Sequence, residues 1–574
     1  MRPEIERFTS SVNHKSTIRN AMSKMGASRE NKYHAGLTVV VDENGVVVGV
    51  ITDGDIRRGV AAGIEIDDSV MKAANLNPFT LVAESIDLRE QYKSQLSKHN
   101  IESGKLTRVI LVDDKGQLYD VIDSVSLEID NRERATIAIY GMGFVGLTLA
   151  ATFANVGFKV IGYDLNHQVI ASLKDGKPTF FERGLETMLN SPTVKNNVMF
   201  TDNKNEVDAI IHIVSVGTPI DESGLPNLEA ISLVTEFIKS RLKQRDLVIF
   251  RSTLPVGTMR SVILPILESS GLLVEVDFEF AFAPERTVEG NALQELRTLP
   301  QIIGGFDKQS ARSASNLFRN ISNLVIEVDS LEAAELAKLM NNTYRDLYFA
   351  FANEVSNICA ELNLNAFRLI KAINSGYPRE QIALPSPGVG GPCLTKDPIL
   401  YGNPYLENIE MPILGLASRS INSGGPKYVL KLVQKYCKNF GFEIEDLRIL
   451  IVGVAFKGEP ETSDIRDSVS IELIKLLPNR ANIKVKDFVV ANSDLRKFNL
   501  ALSESNLEDS IADSDVVLFM NNHRLNSEFN IINALNRTKD RKLFFDGWDM
   551  FDQEEIENNR HVVYATMGYM TKCE

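Results

Sequence analysis

Cys393 lies one proline beyond a run of glycines, in Ser386-Pro387-Gly388-Val389-Gly390-Gly391-Pro392-Cys393-Leu394-Thr395-Lys396-Asp397-Pro398, and Asp397 follows four residues later. Glycines let a backbone approach another group closely. A thiolate there can attack a carbonyl carbon, and the carboxylate can help position water. The alternative is a buried cysteine that only fills core. Lys338 and Asn342 stand four apart in Glu332-Ala333-Ala334-Glu335-Leu336-Ala337-Lys338-Leu339-Met340-Asn341-Asn342-Thr343. The pattern predicts a helix continuing through Glu354, with both side chains on one face. A cation beside an amide donor can stabilise a developing alkoxide, or the pair is a solvated helix face. Glu285 ends an apolar run in Ala283-Pro284-Glu285-Arg286. It can act as a base or orient water, or it is an ordinary loop acid. Arg286 can meet a substrate phosphate or pair with Glu285.

Such groups need a fold that brings them a hydride acceptor, and residues 136–164 supply its pattern. An apolar run, Ile137 to Tyr140, enters Gly141-Met142-Gly143-Phe144-Val145-Gly146; a small-residue helix follows, then Val160 to Tyr163 and Asp164. This is strand, tight turn, helix, strand, with an acid at the end. It predicts a dinucleotide site in which Gly141 permits the turn, Gly143 admits the pyrophosphate, and Gly146 lets helix and strand pack closely. Phe144 and Val145 complete the loop, and Asp164 takes the ribose hydroxyls, which favours NAD over NADP. Ile137 to Phe158 carries no charge, but its glycines and strand context argue against a membrane span.

Further strands are expected at Ala209–Val214, Leu247–Phe250 and Glu279–Phe282. Two of them end in Val216-Gly217-Thr218-Pro219 and Arg251-Ser252-Thr253-Leu254-Pro255-Val256-Gly257-Thr258. Ligands gather at the carboxyl ends of parallel strands, so Thr218 and Thr253 are expected beside cofactor or substrate, unless each only caps the next helix. Residues 335–430 read as mainly helical. A second α/β unit opens near 431, with strands at Ile449–Val452, Lys484–Val490 (Asp487 at its centre), Val516–Phe519 and Lys542–Phe545, and a helix from Ser468 through Leu477.

The first 130 residues hold an internal echo. Val39-Val40-Val41-Asp42-Glu43-Asn44-Gly45 is matched 71 residues on by Ile110-Leu111-Val112-Asp113-Asp114-Lys115-Gly116, each run followed by another strand. That offset suits two halves of one small domain. The first copy continues into Thr52-Asp53-Gly54-Asp55-Ile56-Arg57-Arg58, where the second has Asp123-Ser124.

Length alone implies three or four domains, and 44% hydrophobic with 24% charged residues is globular composition. A net charge of −14 disfavours nucleic acid or an anionic membrane as partner. Cys359, Cys393, Cys437 and Cys573 have no metal spacing and suggest no disulfide scaffold. The start, MRPEIERFTSS, lacks the apolar core of a signal peptide. The expectation is a cytoplasmic protein in a reducing compartment, with no metal.

These motifs together resemble the UDP-glucose/GDP-mannose dehydrogenase family of bacterial nucleotide-sugar 6-dehydrogenases. The likeness covers about residues 134–574, through GMGFVG, VGTP, STLPVGT, APER, AELAKLMNNT, GVGGPCLTKD and GVAFKGEPETSDIRDS in matching order. The resemblance implies an α/β fold of two Rossmann-like parallel-sheet domains joined by a helical domain. It implies a NAD domain over 131–334, a helical dimerisation domain over 335–430 and a UDP-sugar domain over 431–574. It assigns Cys393 as the thioester-forming nucleophile, Lys338 and Asn342 as the helix pair, Asp397 as the loop acid and Glu285 as the acid after proline. Arg379, Arg419, Phe456, Lys457 and Arg466 fall on substrate positions, with Arg286 a further candidate. The front segment, 1–130, resembles a small α+β CBS pair, a module that often binds adenine nucleotides, through Thr52 and Asp55 here; packing or oligomerisation is the other role open to it.

The implied reaction is a NAD-dependent, four-electron oxidation of a UDP-sugar C6 alcohol to the uronic acid, reducing two NAD, in a homodimer or higher homo-oligomer. The stretch APERTVEGNALQEL looks more like the N-acetylhexosamine branch, which serves surface-polysaccharide precursor synthesis. UDP-glucose oxidation, a two-electron dehydrogenase and a catalytically silent nucleotide sensor are the alternatives. Thr395 stands where the UDP-glucose branch usually has proline, Pro392 where serine or histidine is common, and Trp548 where the late Asp-Gly-Arg motif has its arginine.

Overall fold

The computed structural model describes residues 10–27, 36–83, 91–92, 95–96, 108–123, 135–221, 224–405, 412–478, 481–497, 500–538 and 540–572. The chain divides into two compact units, 1–133 and 134–574. The polar junction Asn131–Arg134, Ser124 and Cys573 lie outside the described residues.

The first unit realises the sequence echo as two matching sheets. Strands β1 (Ser11–Asn13), β2 (Leu37–Val41) and β3 (Val47–Thr52) form one, with helices α1 (Ile18–Ala27) and α2 (Asp53–Ala61); β4 (Thr80–Val82), β5 (Arg108–Val112) and β6 (Leu118–Asp123) form the other. In each, the first two strands are parallel and the last two form a hairpin. The hairpin turns use Gly45 and Gly116 at positive φ, +81° and +78°, which only glycine adopts cheaply. The two turns also bond to each other, Leu118 N–H to the Gly45 carbonyl and Val47 N–H to the Gly116 carbonyl. The halves share a core of Val39, Ile110, Val112 and Val121, as one small domain requires.

The second unit begins with an eight-stranded sheet. Its members are β7 (Thr136–Tyr140), β8 (Lys159–Tyr163), β9 (Val198–Thr201), β10 (Ile211–Val214), β11 (Leu247–Phe250), β12 (Glu279–Phe282), β13 (Gln301–Gly305) and β14 (Val325–Val328), with helix α3 (Phe144–Asn155) after β7. The order is β14-β13-β12-β11-β10-β7-β8-β9, parallel except where β12 meets β13. Every residue of β10 and β11 is buried, as expected of strands covered on both faces. Strand order reverses between β7 and β10, so their carboxyl ends, Gly141 and Ser215, open the ligand crevice.

Helix α4 (Leu331–Leu362) is 32 residues long and runs across the expected division at 334/335. After it come α5 (Asp397–Gly402), α6 (Ile413–Asn422) and α7 (Gly425–Phe440). The last sheet holds β15 (Arg448–Val452), β16 (Asn482–Lys486), β17 (Val516–Phe519), β18 (Lys542–Asp546), β19 (Val562–Thr566) and β20 (Tyr569–Met570), in the order β16-β15-β17-β18-β19-β20. Its switch point lies between β15 and β17, beside Gly453–Lys457. The expected strand Lys484–Val490 is corrected: β16 stops at Lys486. Asp487 ends it because its carboxylate accepts the N–H groups of Val454, Ala455, Val489 and Val490, which folds the chain out of the sheet. Among the described residues, no helix is long and apolar enough to cross a membrane.

Candidate active site

The dinucleotide loop has the geometry its glycines imply. Gly141 takes φ +92°. A Cβ on Gly146 would stand 1.8 Å from the Gly141 carbonyl, so no other residue fits there, whereas Gly143 faces open space. No side chain caps the start of α3, leaving its N–H groups for a pyrophosphate. Asp164 follows β8 and accepts Met142 N–H at 2.7 Å and Asn166 N–H at 2.8 Å, one on each oxygen. Each oxygen keeps an acceptor site for a ribose hydroxyl. The residues therefore fit NAD. Thr218 is buried and its hydroxyl donates to the Thr253 carbonyl at 2.5 Å. It joins the two loops and caps neither following helix.

Around Cys393 the structure gathers much of the predicted set. Asp397 is fully buried, with Asn342 donating to Oδ2 at 2.5 Å and Lys396 to Oδ1 at 2.8 Å. Lys338 lies one turn before Asn342 on α4, itself buried. The Cys393 side chain is exposed to solvent yet has protein around it, as on the floor of a cleft. Desolvation by that surrounding protein pushes the thiol pKa up, against the pull of Lys338 and Lys396; Asp397 and Glu289 add to the rise. The resting side chain is therefore a thiol, with Lys338 and Lys396 the cations that favour its ionised form. Lys396 is absent from the residues singled out in the sequence, although it stands beside Asp397.

Glu285 requires a correction. Its Oε2 accepts Arg251 Nε at 3.0 Å and Nη2 at 2.7 Å, while Oε1 accepts the N–H groups of Arg286 and Thr287, both at 2.7 Å. A carboxylate has about four lone-pair sites, and here all are filled. Burial opposes its charge, but Arg251, these N–H groups and Lys338 hold the carboxyl below its usual range. Glu285 is thus a buried anchor that places negative charge near Lys338, with no free site for water. Its partner is Arg251; Arg286 instead reaches the Pro300 carbonyl at 3.4 Å. A cation directly after the buried strand β11 was the available signal.

Arg419 is also corrected. It is buried, and its guanidinium donates to Asp346 at 2.7 Å and to the carbonyls of Leu394 and Val389, both at 2.9 Å. Its two Nη groups are thus engaged by Asp346, the Ser423 hydroxyl and two carbonyls of the cysteine loop, an arrangement that positions the loop in place of the expected substrate contact. The glycines of the loop approach protein: a Cβ on Gly390 would meet the Asp467 carbonyl at 2.4 Å, and one on Gly391 the Phe456 ring at 2.5 Å. Phe456 is thereby set against the cysteine loop.

Lys457 donates to the Glu289 carbonyl at 2.6 Å, and burial lowers its pKa to about 8. Arg466 is bound by Asp464 and stands 3.5 Å from the Glu289 carboxylate, whose pKa burial pushes up to about 7. Glu289 was another residue missed, four positions past Glu285. Arg379 is exposed and contacts Tyr377. Trp548 donates from its indole to the Met520 carbonyl at 3.0 Å, across the carboxyl ends of β18 and β17. In the first unit, Thr52 and Asp55 close on each other as a capping box of α2, and Arg58 holds the other Asp55 oxygen at 2.6 Å. Among the described residues, no cluster of three or more His, Cys, Asp or Glu could hold a metal ion.

Comparison with known proteins agrees with this arrangement. Residues 135–322, 332–423 and 450–553 match the NAD binding, central and UDP binding domains of the UDP-glucose/GDP-mannose dehydrogenase family, and residues 1–62 match the CBS domain. The UDP-N-acetyl-D-mannosamine dehydrogenase of Methanococcus aeolicus is 32% identical over 69% of this chain and 86% of its own. The enzyme of the same name from Campylobacter jejuni is 31% identical over 68% of this chain and 95% of its own. The solved UDP-D-ManNAc dehydrogenase of Pyrococcus horikoshii superposes with a TM-score of 0.68 at 26% identity, covering 75% of this chain and 99% of that one.

Proposed function

The chain belongs to the UDP-glucose/GDP-mannose dehydrogenase family, and from that premise we propose that it oxidises the C6 alcohol of a UDP-N-acetylhexosamine to the uronic acid for surface-polysaccharide precursors. It is a NAD-dependent nucleotide-sugar dehydrogenase with a CBS domain. Bound NAD supplies the hydride acceptor, once for each of two oxidations.

The protein's own part follows from the cleft. Lys338 donates toward the C6 oxygen and stabilises negative charge as it develops, work a buried ammonium does well. The C6 alcohol loses its first hydride, and its hydroxyl proton passes to water, which leaves the aldehyde. Cys393 Sγ then bonds to the aldehyde carbon as the thiol proton passes to the carbonyl oxygen, forming a thiohemiacetal. Loss of a second hydride from C6, with the hydroxyl proton again passing to water, leaves the thioester. Water adds to that carbonyl as one of its protons passes to Asp397; the C–S bond breaks, Sγ takes that proton back from Asp397, and the acid is released. Asn342 and Lys396 keep Asp397 oriented for this step. The observation that supports the reading best is an exposed Cys393 thiol within the electrostatic influence of Lys338 and of a buried, two-point-bound Asp397.

The test offers UDP-N-acetylmannosamine, UDP-N-acetylglucosamine, UDP-glucose and GDP-mannose, and scores acid formed and NADH per sugar. Two NADH per sugar with a UDP-N-acetylhexosamine preferred is expected, with no acid from folded Cys393→Ala. One NADH per sugar would move the enzyme to the two-electron class; a preference for UDP-glucose would overturn the substrate.

The same reading makes the active form at least a dimer. On α4, Tyr344, Phe351 and Ile358 recur every seven residues and are 69%, 52% and 60% exposed. An apolar seam with that period fits a second helix of the same kind. Light scattering of Tyr344→Asp/Phe351→Asp is expected to find monomers where the parent forms dimers. The CBS domain is read as an adenine-nucleotide site using Thr52 and Asp55, and the whole chain as a cytoplasmic enzyme.

A further inference from the structure

A cavity of about 440 Å³ is bounded by α4, α7 and the last strands, and includes neither Cys393 nor any residue assigned above to chemistry or substrate. One wall carries Lys427, Lys431 and Lys435, four residues apart on α7 and all exposed. That spacing puts them on one helix face, over a rise of about 12 Å. Among the described residues none of the three makes an ion pair or a side-chain hydrogen bond. Glu361 is the one carboxylate lining the cavity, so it cannot balance them. Lys427 also lies in the first turn of α7, where the helix end is already positive and a cation is disfavoured. A protein of net charge −14 thus concentrates positive potential in one recess, which an anion relieves. Leu432, Met567 and Met570 give the recess an apolar portion as well.

We infer that this cavity binds a phosphorylated small molecule carrying two or more phosphoryl groups, at a site separate from the nucleotide-sugar cleft. Several ammonium groups in a row suit several phosphoryl oxygens, each lysine acting as a point charge. The volume suits a ligand of nucleotide size. An occupant would also rest against the base of the cysteine loop. Asn353 and Ser386 line the cavity, and Asn353 Oδ1 accepts Ser386 N–H at 2.8 Å where that loop begins.

The test is calorimetric titration of the full chain with tripolyphosphate, and separately with ATP, while UDP and NADH fill the cleft. Lys427→Gln/Lys431→Gln/Lys435→Gln is expected to bind tripolyphosphate about 100-fold more weakly than the parent. Glu361→Gln, which removes the opposing charge, is expected to bind it about threefold more tightly. ATP losing one site per chain in the triple variant would identify a nucleotide-compatible pocket; tripolyphosphate alone losing its site would identify a pocket for the free polyphosphate. No binding by the parent, or equal binding by parent and triple variant, would overturn the inference.

Discussion

In the proposed role of Lys457 at the substrate diphosphate, a single side chain ties substrate affinity to pH. Burial favours its neutral form and lowers its pKa to about 8, while Glu289 and Glu182 pull the other way. A bound diphosphate favours the charged form, so binding raises that pKa. Below about pH 8 the free enzyme already carries the charge, and affinity for UDP-sugar is expected to be flat. Above it, free Lys457 must first take up a proton, and KM is expected to rise by up to about tenfold per pH unit. Lys457→Met removes this break and raises KM at every pH below it. Steady-state kinetics between pH 6.5 and 9.5 checks both, and a pH profile unchanged in Lys457→Met would remove Lys457 from the phosphate site. Cys393 works in the opposite direction, because its thiol is held above its ordinary pKa and capture of the aldehyde gains as pH rises.

At the scale of elements, the proposed chemistry depends on a loop with little regular structure of its own. Residues 386–396 are fastened by Arg419 to the carbonyls of Val389 and Leu394, and Arg419 is fastened by Asp346 on α4, a pair whose side chains are only 7% and 0% exposed. Arg419→Lys keeps the charge but lacks the planar fork that serves Asp346, the Leu394 and Val389 carbonyls and the Ser423 hydroxyl. It is expected to lower kcat about tenfold or more, through misplacement of Cys393, with little change in NAD affinity. Faster hydrogen exchange at the loop amides would accompany it; unchanged exchange and kcat would show that the loop holds itself. This tether also marks what the sequence could reveal. Gly141, Gly146, Asp164 and the β-strand cores were legible because local sterics and period set them. Lys338, Asn342, Cys393 and Asp397 could be singled out as candidates from spacing and from the family resemblance, and the structure bonds Asn342 to Asp397. Arg251, Asp346, Lys396 and Glu289 were not legible, since nothing local says that Arg251 turns to Glu285 across 34 residues or Asp346 to Arg419 across 73. Arg419 looked like a free cation for the same reason.

At the scale of the molecule, the second unit contains everything assigned to chemistry. Both sheets, α4 and the cysteine loop fall within 134–574, each sheet with its own buried clusters on two faces. A chain starting at Arg134 therefore loses no strand of either sheet and no residue of the cleft. It is expected to fold, with kcat and KM for the UDP-sugar within about twofold of the parent, since no catalytic contact is removed. On the proposed reading, the CBS domain contributes through a nucleotide response that the shortened chain is expected to lack. Thr52 and Asp55 bond to each other at 2.6 Å, so an adenine nucleotide that uses them must replace a satisfied capping box. Thr52→Val should blunt the full chain's response to ATP without altering basal turnover. Kinetics of the three proteins with and without ATP decides the point: identical curves for all three would strip the front domain of a nucleotide role and leave it a packing module.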